Sequence, residues 1–208
     1  MRADNEDGAL DVRSAADLLR QTEQNTREAL TVRMSVVYAA WGVAWLAGLS
    51  GMWLSVRDQH PYRGPSGLST AVFGVLMLAA LAVTIVVVVR ATRGVHGGSE
   101  TRGRMYGWSW AVGFGVLFAI DAALRHAGAS AAVTAVIGAA GPVLVVSLIY
   151  VVGATIWLDW VMFGLGVWLG AVAVIGAWTG PVHILLVVAV ASAAGFFTAA
   201  LLTRSQRA

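Results

Sequence analysis

Six apolar stretches, each close to 20 residues long, follow one another between Ser35 and Leu202. An α-helix needs about 20 apolar residues to cross a hydrocarbon core of about 30 Å. A chain of 208 residues has no soluble core large enough to bury six such segments. The spans expected are 35–56, 68–89, 105–124, 131–156, 160–178 and 182–202. They predict an all-α, polytopic membrane bundle. The first break, RDQHPYRGPSG, is full of turn formers, and the second, RATRGVHGGSETRGR, reads as a basic glycine-rich loop. The later boundaries are softer. Asp159 alone interrupts the apolar run from Ala127 to Leu202, which is divided here by length and by Gly180-Pro181. A count of five or seven helices is the alternative.

Composition agrees, with 58% hydrophobic and 12% charged residues. The chain lacks cysteine and all 14 of its basic residues are arginine. That excludes disulfides, thiolate nucleophiles, cysteine-ligated metals, lysine Schiff bases and the P-loop lysine. No H-E-x-x-H, G-x-S-x-G or dinucleotide fingerprint occurs, so the chain reads as a non-enzyme without a cofactor.

Residues 1–33 form a soluble arm, 34–203 the transmembrane domain and 204–208 a short tail. The arm has no apolar core near its start and so is not a signal peptide. Ser14 to Asp17 has the form of a capping box, and a helix is expected over 14–32.

Arginines set the orientation. With the N-terminus inside, eleven lie on the inner side and only Arg57, Arg63 and Arg125 outside, of 14 in all. The expected location is a bacterial cytoplasmic membrane, crossed several times, with both termini in the cytoplasm. The net charge of +3 then reflects topology and not binding to nucleic acid.

Helix one carries Gly42, Trp45 and Gly48, and helix three carries Gly107, Trp110 and Gly113, a shared G-x-x-W-x-x-G. Helix five has a degraded version, Leu165, Trp168, Ala171. The spacing suggests three parallel hairpin repeats. Close helix packing is the plainer reading, because glycines one turn either side of an indole let a neighbouring backbone approach. A deep ligand pocket is the sharper one. Trp45 and Trp168 lie well inside their spans, so their N–H groups need partners. Gly166-x-x-x-Gly170 and Gly176-x-x-x-Gly180 offer further packing faces, and a homo-oligomer is left open.

Asp121 and Arg125 form an i,i+4 pair, and Asp159 is placed to complement the start of helix five. Asp58, His60, Asp121, His126 and His183 all reach the outer side under this topology. Together they offer ligands for a divalent metal or groups for a pH sensor, against a plainer reading of scatter.

The blocks YAAWGVAWLAG, RATRGVHG, RMYGWSWAVGFGVLFAIDAAL and GLGVWLGAVA resemble a family of actinobacterial six-helix integral membrane proteins without an assigned activity. The resemblance covers most of the chain from Tyr38 onward. It implies genes placed beside winged-helix transcriptional regulators, and carries no catalytic residue. Two functions are expected, one favoured by the arm and the absence of buried charge, the other by the helix count and the repeat. The first is a non-enzymatic membrane partner or sensor of a cytoplasmic regulatory protein, reached through the arm. The second is a small transporter or permease-like subunit. The lipid bilayer is a partner in either.

Overall fold

A computed structural model describes residues 34–92 and 98–205, and the arm with its expected helix lies outside them. Every element is a helix: α1 (Met34–Val56), α2 (Gly67–Thr92), α3 (Gly98–His126), α4 (Ala131–Trp157), α5 (Trp160–Trp178) and α6 (Gly180–Ser205). Each is long and apolar enough to cross a membrane. The chain is a multi-pass six-helix bundle, and the divisions within the long apolar run fall where Asp159 and Gly180-Pro181 placed them.

Local chemistry explains those divisions. Ser130 caps α4, its hydroxyl accepting from the Val133 N–H. Leu158 closes α4 in the left-handed region at φ 54°, and its N–H bonds the Ala154 carbonyl. Asp159 immediately caps α5, its carboxylate accepting from the Met162 N–H at 3.0 Å, which satisfies a donor the helix leaves free. Two residues thus suffice to reverse the chain. Gly180 makes the next reversal at φ 81°, where a side chain would be strained.

The second break differs from expectation. The stretch read as a basic loop over 90–104 is helical at both ends, since α2 continues to Thr92 and α3 begins at Gly98. Arg90 falls in the last turn of α2, where a cation complements the carbonyl end of a helix, so charge there extends the helix.

The core is made by α1, α4, α5 and α6. Phe196, Leu169, Ile184, Val56, Val143 and Val188 are fully buried between them. The helices α4 and α5 approach most intimately. A Cβ on Gly166 would come within 2.9 Å of the Val151 nitrogen and 3.0 Å of the Ser147 carbonyl oxygen, and one on Gly170 within 2.8 Å of the Ser147 hydroxyl. The Ser147 Oγ uses this contact to donate to the Gly166 carbonyl at 2.7 Å. These are the close contacts expected of Gly166 and Gly170.

By contrast, α2 and α3 are flanking helices. Helix α2 sits on α1, held by the Phe73 ring against Gly48 and by the Trp41 Nε1–H donating to Thr84 Oγ1 at 3.0 Å. Helix α3 sits on α4, with Val145 and Ile149 against Gly113 and Leu117 against Gly141. Among the described residues the two flanking helices do not pack on each other. The three hairpins are therefore packed pairs in different settings. In the first the leading helix is central, in the second the trailing one, and in the third both.

Candidate functional site

The sequence singled out two groups of residues, and the bundle treats them differently. Within the bundle, Trp45 is 5% exposed and packs edge-on against Phe196 of α6 at 5.6 Å between ring centroids. Phe196 meets Tyr150 of α4 at 6.4 Å, and Tyr150 meets Tyr38 at 6.5 Å and Trp110 at 5.8 Å. Trp110 continues the series to Tyr106 at 6.1 Å, and Tyr106 to Trp157 at 4.6 Å. A row of mostly edge-to-face rings thus runs from α1 through α4 to α3. Each such contact adds about 0.5–1.5 kcal/mol beyond area burial. Trp45 and Trp110 belong to this row and are joined through Tyr150 and Phe196.

Trp168 does not belong to it. It is 47% exposed on the flank of α5 and α6, its Nε1–H donating to the Ala191 carbonyl at 2.8 Å. The expectation that this indole needs a partner is met by a backbone oxygen of α6. Ala171 is exposed as well, whereas Leu165 is buried and lies with Trp168 against Gly195 of α6.

The glycines also divide. A Cβ on Gly42 would lie 2.9 Å from the Phe197 ring, one on Gly48 2.5 Å from Phe73, and one on Gly113 3.0 Å from Val145. Gly107 has nothing within 4 Å, so the reading of a close contact there is corrected: its face of α3 carries no neighbour. The shared motif marks equivalent hairpin contacts only at Gly48 and Gly113.

Four buried side-chain atoms among the described residues have no hydrogen-bond partner, Trp53 Nε1 and Asp121 Oδ1 near helix ends and the Trp45 indole nitrogen and Ser192 hydroxyl deeper in the bundle. The deeper two face the α1–α6 contact, since Ser192 lies one turn before Phe196, the ring that Trp45 touches. Sequence alone marked Trp45 by its depth but passed over Ser192, because a serine within an apolar helix usually bonds its own backbone. The other buried polar side chains among the described residues are Ser35, Thr134, Ser147 and Thr203. A row of aromatic rings and a few hydroxyls is a packing and anchoring chemistry, with no nucleophile beside a base.

The far-side group does not assemble. Asp121 gives its Oδ2 to the Arg125 Nε at 2.8 Å, the i,i+4 pair expected from the sequence. His126 is exposed at the end of α3, and His183 is exposed in the first turn of α6. His60 is exposed in a loop ordered by Gln59, whose Nε2–H donates to the Ser55 and Gly64 carbonyls and whose Oε1 accepts from the Arg63 N–H. Asp58 pairs with Arg57, and Arg57 lies over the Trp53 ring at 5.7 Å. Partial burial raises the pKa of Tyr62 in the same loop. Among the described residues no three histidines or carboxylates are grouped to hold a metal. The placement fits the plainer reading of scatter: His60 stands in the connection after α1, Asp121 and His126 at the end of α3 and His183 in the first turn of α6, and the half-buried Asp121 gives one oxygen to Arg125. Comparison of the chain with protein-family models, with curated proteins and with solved structures returned no match.

Proposed function

We infer that the protein is a non-enzymatic membrane partner of a soluble cytoplasmic regulator, embedded in a bacterial cytoplasmic membrane with both termini inside. The observation that carries this reading is a bond at the root of the arm. Ser35, fully buried in the first turn of described α1, accepts from the Arg204 Nε at 2.7 Å, so the start of α1 is tied to the last turn of α6. The arm leads directly into this tied end. A load on the arm therefore reaches the two helices that enclose Trp45 and Ser192.

The arm has the composition for a protein partner. Its acids, Asp4, Glu6, Asp7, Asp11, Asp17, Glu23 and Glu28, outnumber its five arginines, which disfavours attraction to an anionic lipid surface. With 33 residues it is also longer than an anchor requires.

Deletion of Met1 to Gln24 tests the proposal. The truncated protein should insert normally and keep its thermal stability in detergent, while losing the cytoplasmic protein captured by the full-length chain. Loss of stability on truncation, or a captured partner that still binds the truncated chain, would remove the arm from the mechanism. Capture of a transport ATPase would favour the permease-like subunit instead.

A further inference from the structure

A groove of 430 Å³ opens sideways between α5 and α6, with Trp160, Trp168 and Leu202 as walls and Gly164, Gly195 and Thr198 among its floor residues. It lies outside the aromatic row and does not depend on the arm.

Three features distinguish it from an ordinary lipid-facing surface. The first is a fixed wall. The Trp168 indole lies on Gly195, where a Cβ would come within 2.5 Å of its Cδ1, and its N–H is held by the Ala191 carbonyl. The indole therefore presents carbon to the groove. The second is a hydroxyl without a partner. Thr84 bonds the Ala80 carbonyl, Thr155 that of Val152 and Thr203 that of Ala199, but Thr198, exposed in the groove, has no hydrogen bond among the described residues. A free O–H facing hydrocarbon is unfavourable unless something in the groove accepts from it.

The third is size. From Trp160 to Trp168 the groove runs about 12 Å along α5. Dividing 430 Å³ by that length gives a section roughly 6–7 Å across. A helix with its side chains needs about 10–12 Å and would rest across the mouth of the groove, whose walls leave a path the width of one chain. A single hydrocarbon chain fits that path. The lining residues carry no charge, so recognition falls on the chain and its linkage and not on an ionic headgroup.

We propose that this groove is a binding site for one acyl chain of a bilayer phospholipid, whose ester carbonyl accepts a hydrogen bond from the Thr198 hydroxyl. The test uses the full chain in detergent micelles titrated with phosphatidylcholine brominated in its acyl chains, read by quenching of tryptophan fluorescence. Wild type should show a saturable component, and replacing both tryptophans that line the groove, Trp160→Phe with Trp168→Phe, should remove it.

Gly164→Leu should abolish the same component by filling the groove, and it leaves the packing intact because nothing lies within 4 Å of a Cβ at that position. Gly74→Leu, on α2 and equally unobstructed, is the control and should bind as wild type does. Thr198→Val should weaken binding about five-fold, the effect of one hydrogen bond. The proposal is overturned if Gly164→Leu quenches like Gly74→Leu, if the variant carrying both Trp160→Phe and Trp168→Phe retains the saturable component, or if Gly164→Cys chains cross-link to one another in the membrane on oxidation, which would make the groove a contact between copies.

Discussion

At the residue scale the most informative side chain is Ser192. It is fully buried on α6 and its hydroxyl has no partner, while Ser147, also buried, donates to the Gly166 carbonyl. Removing a hydroxyl that is buried and unbonded removes a desolvation penalty of about 1–3 kcal/mol and leaves only a small void. Ser192→Ala should therefore raise stability by roughly 1 kcal/mol, whereas Ser147→Ala should lower it by a similar amount, both measured as midpoint shifts on thermal unfolding in detergent. A loss of stability in Ser192→Ala would mean that the hydroxyl is bonded, by water or by the Trp45 indole. The need for partners at Trp45 and Trp168 was legible from depth alone. That need is met at Trp168 by the Ala191 carbonyl but not at Trp45, whose nitrogen has no partner although its ring packs on Phe196, because the outcome depends on which α6 atoms face each ring.

At the scale of elements, glycine spacing identified where helices approach but not which glycines matter. Gly166 and Gly107 look alike in sequence, each beside an aromatic segment of an apolar helix. One abuts the backbone of α4 and the other has open space around it. Gly166→Ala should push α4 and α5 apart and cost on the order of 1–3 kcal/mol. Gly107→Ala should be neutral or slightly stabilising, by up to about 1 kcal/mol, since alanine favours the helix. Equal stability of the two variants on thermal unfolding would show that α4 and α5 do not approach as closely as described. The helices themselves were readable because length and hydropathy are local. Their roles as core or flank were not. Helix α2 is among the most apolar segments and yet buries only Ala80 fully, because in a bilayer lipid serves as well as protein to cover apolar surface. Burial therefore follows small residues and shape, and an apolar pattern does not report it. The far-side histidines show the same limit, since a shared side of the membrane does not place residues within coordinating distance.

For the whole molecule, the proposed function depends on which end faces the cytoplasm, and the proposed orientation rests on the arginines. Among the described residues, the end at which α1 begins holds Arg90, Arg102, Arg104 and Arg204, and the opposite end Arg57, Arg63 and Arg125. Of these three, Arg57 and Arg125 are paired with Asp58 and Asp121, which lowers the positive charge presented at that end further. Retention of arginine-rich loops on the cytoplasmic side is the ground on which the proposed orientation, with the N-terminus inside, rests. Because the chain has no cysteine, single cysteines report position without background. Ser66→Cys and Ser130→Cys, in the connections between α1 and α2 and between α3 and α4, should react with a membrane-impermeant thiol reagent in intact cells. Ser99→Cys, at the start of α3, should react only after the membrane is opened. The reverse pattern would put the arm outside the cell, beyond reach of any cytoplasmic regulator, and would leave the Ser35–Arg204 tie as an external clasp on the bundle. The labelling thus tests the regulatory reading as well as the topology, while the lipid groove between α5 and α6 would stand in either orientation.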